Sequence, residues 1–329
     1  MSPDETPELT QRAAVEQLFA ILSPNLVEEA RKLTAGESQL VHYTTAENAM
    51  RIIRSKKFWL RNVRCMNDYS EVQHGVNLLL SVFSGPDNPQ ITRLYAALDQ
   101  VADGAAKRGV DKFNEWLPKL ADITFIGCLS QADVDDKIGR LSMWRAYSSP
   151  NSGVALVLDS APFTAETDLL HAYSLPVAYL DDEQFKDGID RCLSAVEGLA
   201  PSLGGVSPET IENTIFWWLL CLSVGCKHPG FHEEREWRVI YIPEMWKSEA
   251  IEEAVEAIGG LPQIVQKIPL INDPENGLIG ADPANLIKRI IIGPTDFAMV
   301  QYDAFSALLT EAGIENPNER ITLSLIPLR

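Results

Sequence analysis

The sequence predicts a mixed α+β fold, a sheet of roughly six to eight strands with peripheral helices on its faces. Three observations predict it. Short β-branched, apolar runs recur along the chain; stretches with apolar residues at helical spacing separate them; and no internal repeat, low-complexity tract or linker divides the sequence.

Taken in order, residues 6–34 carry apolar side chains at helical spacing (Ala13, Leu18, Leu22, then Leu26, Ala30, Leu33), interrupted by Ser23-Pro24-Asn25. They form a helical preamble over 1–38, ahead of a single α+β domain over 39–329. Gln39–Tyr43 reads as a strand, and Thr44, three residues ahead of Glu47, as the cap of a helix over Ala46–Ser55. Phe58–Arg61 is a second strand, followed by a helix from about Tyr69 to Phe83. Residues 90–119 have the spacing of one or two amphipathic helices. Ile123–Ser130 and Gly153–Asp159 read as central strands, with a short helix over Gly139–Tyr147 between them. A helical insertion occupies about 160–230, broken by a short strand at Leu175–Tyr179. Glu236–Ile242 alternates polar and apolar residues as a half-buried strand does, and Pro243 closes it. Ile287–Ile292, a helix over Asp296–Ala312 and Ile321–Ile326 complete the pattern.

Composition narrows the function classes. A net charge of −18 across 329 residues repels a phosphate backbone over most of the surface, although Arg51, Arg54, Lys56, Lys57, Arg61 and Arg64 form one local basic cluster. Apolar runs fall far short of the roughly 20 residues of a membrane span. The acidic N-terminus lacks the basic start and apolar stretch of a secretory signal, so a cytoplasmic location without membrane contact is expected. Five scattered cysteines suit reduced thiols. Fingerprints of Rossmann dinucleotide folds, P-loop NTPases, α/β-hydrolases and zincins are missing. Cys226, His228 and His232 lack the second cysteine pair of a structural zinc site, so no metal is expected.

Three constellations can carry chemistry. His42-Tyr43-Thr44 sits at a strand end, where a histidine serves either structure or a cleft. Ser142-Met143-Trp144-Arg145-Ala146-Tyr147 offers aromatics that stack on a planar ring or fill a core. Glu234 and Glu236 lie two apart; if the strand already includes Glu234, both carboxylates share one face.

These motifs, HYTTAENAMRII with NDYSE downstream, then SMWRAY, GVALVLD and EREWR, look like a widespread bacterial family of unknown function, over about Leu40–Arg329. The opening also resembles DNA-targeting ADP-ribosyltransferase toxins, which implies a curved, split mixed sheet of the ADP-ribosyltransferase type and NAD as substrate, with no metal. Carried over, the resemblance makes His42 the ribose-side contact, Tyr147 the aromatic stacking on nicotinamide, and Glu236 the acid on the ribose 2′-hydroxyl. Glu234 becomes the acid facing the acceptor. Arg64 or Arg51 reaches the pyrophosphate, and Tyr43, Thr44, Asn67, Asp68, Ser142 and Trp144 join the cofactor pocket. A carboxylate there would stabilise an oxocarbenium-like transition state.

The expectation is therefore an NAD-dependent ADP-ribosyltransferase, toxin-like or tied to phage defence, whose acceptor is a nucleic acid, a protein or a small molecule. Its first competitor is a non-catalytic module that binds a nucleotide or a basic protein partner. A weaker one is a metal-dependent nucleic-acid hydrolase using Asp135-Asp136 or Asp181-Asp182.

Overall fold

The computed structural model describes residues 5–66, 70–85, 88–148, 153–165, 167 and 169–327. In chain order these form α1 (Glu5–Leu22), α2 (Pro24–Thr34), β1 (Ser38–Thr45), α3 (Ala46–Ser55), β2 (Lys57–Asn62), α4 (Ser70–Phe83), α5 (Pro89–Asp99), α6 (Ala105–Trp116), α7 (Leu120–Ile123) and β3 (Phe125–Asp133). The chain continues with α8 (Leu141–Tyr147), β4 (Gly153–Leu158), α9 (Ala161–Thr164), β5 (Ala172–Pro176), β6 (Ala178–Tyr179), α10 (Asp182–Leu199), α11 (Pro208–Gly225), β7 (Cys226–Lys227) and β8 (Glu236–Tyr241). Last come β9 (Glu252–Ile258), β10 (Leu261–Pro269), α12 (Pro283–Leu286), β11 (Ile287–Ile292), α13 (Ala298–Glu311) and β12 (Ile321–Leu323). The expected start of α4 at Tyr69 lies outside the described residues.

Two compact units result. The first comprises Met1–Glu29, Asn67–Asp122 and Val177–Phe231. It is a helical assembly in which α11 packs on α4 and α6, and α10 on α5 and α1. Helix α11 starts sharply because Ser207 accepts from the Thr210 N–H and Pro208 fills the first turn. Its apolar residues point all round, so most of it is buried. Among the described residues no helix is long and apolar enough to cross a membrane.

The second unit comprises Ala30–Met66, Ile123–Pro176 and His232–Arg329, and holds a ten-stranded mixed sheet. The strands run β12-β11-β4-β1-β3-β2-β10-β9, with β8 also on β3 and β5 on β8. Only β11–β12 is a parallel pair among those registered in this sheet. The β9–β10 hairpin carries the sheet beyond the six to eight strands the sequence suggested. Its main core lies on the face of Leu40, Phe58, Leu60, Leu129, Leu156 and Trp237.

One junction matters most for the site. Strand β3 pairs with β1 through Ser130–Asp133 and with β2 through Phe125 and Ile126. Strand β8 pairs with β3 over Phe125–Ser130, which covers the β2-paired residues and reaches the β1-paired stretch at Ser130, so it holds the opposite edge, and β1 and β2 must share the other. The sheet therefore forks where that edge changes partner, over residues 127–129. Gly127 lets the fork close: a Cβ there would lie 2.4 Å from the Phe58 ring and 2.8 Å from Leu60.

Candidate functional site

At the fork stands His42, one residue past the last β1–β3 pair, Val41 with Ser130. Its Nδ1 lies 3.0 Å from the Cys128 carbonyl, and its ring meets Phe58 edge-on at 5.2 Å between centroids. A carbonyl only accepts, so Nδ1 carries the proton and the neutral ring keeps Nε2 as an acceptor. Burial lowers the imidazole pKa below the ordinary histidine value, and the hydrogen bond to Cys128 only partly opposes this.

Because the folded state resists protonation, the unfolded state binds the extra proton as pH falls below about 6.5. His42 thus contributes stability above that pH, and the contribution is lost as pH falls through it toward the lowered folded value. In urea melts between about pH 7.5 and about pH 5, on either side of that value, we expect His42→Gln to flatten the acid-side loss of stability relative to wild type. Parallel profiles would show that His42 titrates alike in both states.

The register separates the residues that the resemblance grouped. Val41, Ser130 and Glu236 form one row across three strands and share a face. His42, next along β1, therefore points to the opposite face, with Thr44. Tyr43 shares the face of Glu236, and there Val41, Met143 and Trp144 pack with it while Tyr147 lies half-buried against them. His42 and Glu236 do not converge on one ligand position across the sheet.

Glu236 is also engaged. It is 5% exposed, Arg238 on the same face is fully buried, and the two form a bidentate pair at 2.8 Å (Nε to Oε1) and 3.2 Å (Nη2 to Oε2). Glu234 does not extend the strand, which corrects the shared-face expectation. It ends a 3₁₀ turn, and Arg235 adopts a left-handed φ of 42° that breaks the alternation. Arg235 is held there by its ion pair with Asp133, 3.0 Å, and by its carbonyl accepting from the Gln131 N–H.

The remaining candidates are distributed as follows. Thr44 is buried within β1 and does not cap α3; the cap is Thr45, the last extended residue, whose hydroxyl accepts from the Asn48 N–H. Trp144 is buried, its indole N–H donating to the Ile138 carbonyl at 3.0 Å and its ring meeting Tyr43 edge-on at 4.9 Å. Ser142 is half-buried on α8 and Arg64 is exposed in a turn after β2. Arg51 lies over the Trp59 ring and pairs with Glu47. Asn67 and Asp68 lie outside the described residues.

Sequence reasoning passed over Arg140. Its guanidinium bonds the Ser130 hydroxyl at 2.8 Å and the carbonyls of Gln131 and Glu233, and its N–H donates to the Tyr43 hydroxyl. It ties the end of β3 to the approach to β8, and nothing in a lone arginine after a glycine announces that. The acidic pairs serve turns: Asp136 accepts from the Ile138 and Gly139 N–H groups, and Asp181 caps α10 with Gln184 in a reciprocal box. Among the described residues no group of three or more His, Cys, Asp or Glu is placed to hold a metal ion.

The stretch from α8 through β4 to β8 has a counterpart among known families. Residues 143–239 match the model of DUF2971, a protein of unknown function. The DUF2971 stretch runs from Met143 to Val239 and carries Trp144, Tyr147, Glu236 and Arg238, while His42 lies outside it. The resemblance to a family of unknown function is thus shown, over a shorter span than the motifs covered. No significant match occurs among curated proteins or among solved structures.

Proposed function

We propose that this chain is a cytoplasmic nucleotide-binding module on an ADP-ribosyltransferase-like split sheet, taking NAD or a related nucleotide at the fork without transferring its ADP-ribose. The register carries this reading: it leaves His42, half-buried on the Leu40–Leu156 face with Nε2 as the ring's acceptor, on one side, and Glu236, locked to Arg238, on the other. A transferase needs a carboxylate beside the ribose whose charge is free to strengthen its interaction as the oxocarbenium develops. A carboxylate already neutralised by a buried guanidinium gains little in that step. The NAD class rests on the resemblance of the opening motif. A link to phage defence rests on the resemblance alone.

Calorimetry with NAD tests the reading. Wild type should bind, and His42→Ala should bind at least about tenfold more weakly, the ~1.4 kcal/mol expected for one hydrogen bond to the ligand. Absence of heat with NAD and with its ADP-ribose half would oppose it. The transferase itself remains the second reading, favoured by the fork. In that case Glu234, half-buried where the chain enters β8, is the acid, and nicotinamide release would vanish in Glu234→Gln.

A further inference from the structure

We infer that β9 is the dimer edge of this protein, pairing antiparallel with β9 of a second copy about a two-fold axis at Val255. Strand β9 ends the sheet order, and Val255 at its centre is 74% exposed. An exposed strand edge presents a row of N–H and C=O groups that another strand can complete.

The hairpin fixes which groups those are. Gly259 and Gly260, at φ 60° and 81°, make a two-residue turn between Ile258 and Leu261, which pair directly. In such a hairpin the pair beside the turn exchanges hydrogen bonds, and bonded and non-bonded pairs alternate from there. Glu252, Ala254, Glu256 and Ile258 therefore bond to β10. Glu253, Val255 and Ala257 turn their N–H and C=O groups to the free edge. Pro262, which has no N–H, lies opposite Ala257 in a non-bonded pair, as this phase requires.

The charge pattern selects the partner. An axis at Val255 places Glu252 opposite Ile258, Glu253 opposite Ala257, Ala254 opposite Glu256, and Val255 opposite itself. The outward-facing residues then pair only with one another, and each glutamate meets an apolar residue. An axis at Ala254 sets Glu252 against Glu256, and one at Glu256 sets that residue against its copy, both of which repel. Within each chain the glutamates are already engaged: Glu252 with Lys57, Glu256 with Lys267 at 2.6 Å, and Glu253 with Gln266 at 2.8 Å. A lysine-rich strand from another protein would have to compete with those pairs, whereas a second copy leaves them in place.

Sedimentation velocity and light scattering on the full chain test this. Wild type should run at twice the 36.5 kDa chain mass, and Val255→Thr should keep that mass. Val255→Pro should run as a folded monomer, because the N–H it removes faces the free edge and the β9–β10 ladder is untouched. Val255→Lys, which sets two charges against each other, should also be monomeric and carries the test if the proline variant fails to fold. A monomeric wild type at tens of micromolar, or a dimer unaffected by Val255→Lys, overturns the inference.

Discussion

Arg238→Met should destabilise the sheet-bearing unit by about 3–5 kcal/mol, because it leaves the Glu236 carboxylate buried and stripped of the guanidinium that neutralises it. That is a large part of the roughly 5–15 kcal/mol that holds a typical domain together, so the variant should unfold at much lower urea than wild type. Glu236→Leu combined with Arg238→Met removes both charges and should recover most of the loss. Urea melts followed by circular dichroism close the double-mutant cycle. If Arg238→Met melts like wild type, the pair does not hold the strand, and Glu236 is freer for chemistry than its geometry indicates.

The second large effect is expected at Trp144, for a different reason. Its indole is wedged between two glycines: a Cβ on Gly139 would lie 2.7 Å from the ring, and one on Gly293 would lie 2.9 Å from it. No smaller side chain fills that slot, so Trp144→Ala should cost about 3–5 kcal/mol in lost contacts and residual cavity. Trp144→Phe should cost less, since the Ile138 carbonyl keeps the Ser324 hydroxyl, 2.6 Å away, as a donor. Equal melting of the alanine variant and wild type would mean that α8 and the loop before it collapse onto the vacated space.

Much of this frame is readable from local sequence. The Thr-Thr-Ala-Glu run gives α3 its limits, with only the cap misplaced by one residue, because β1 stays extended through Thr45. Short runs of β-branched, aromatic and other apolar residues mark β1, β2, β3, β4, β8 and β11. The β9–β10 hairpin escapes, since Glu-Glu-Ala-Val-Glu-Ala-Ile has the composition of a solvated segment. Its carboxylates are matched by Lys57 on β2 and by Lys267 and Gln266 on β10. Those partners are supplied by the pairing, which no local window contains.

The candidate site shows the same division. That His42 lies on a strand and that Glu236 begins one are both visible in the residues, but β1 runs on through Thr45, so His42 is within the strand and not at its end. Which face each takes depends on the Val41–Ser130–Glu236 row and on the left-handed turn at Arg235, and both are products of tertiary pairing. The partner of Glu236 was nearer at hand. An acid and an arginine two apart on a strand share a face, so Glu236-Trp237-Arg238 already implies the ion pair that occupies the carboxylate.

Nicotinamide release from NAD by the wild-type protein, measured beside a folded Glu236→Gln variant at NAD concentrations that saturate the calorimetric signal, separates binding from transfer. We expect binding with no release above the buffer rate in either protein. Release by wild type that disappears in Glu236→Gln would contradict the account and make the buried carboxylate a catalytic one.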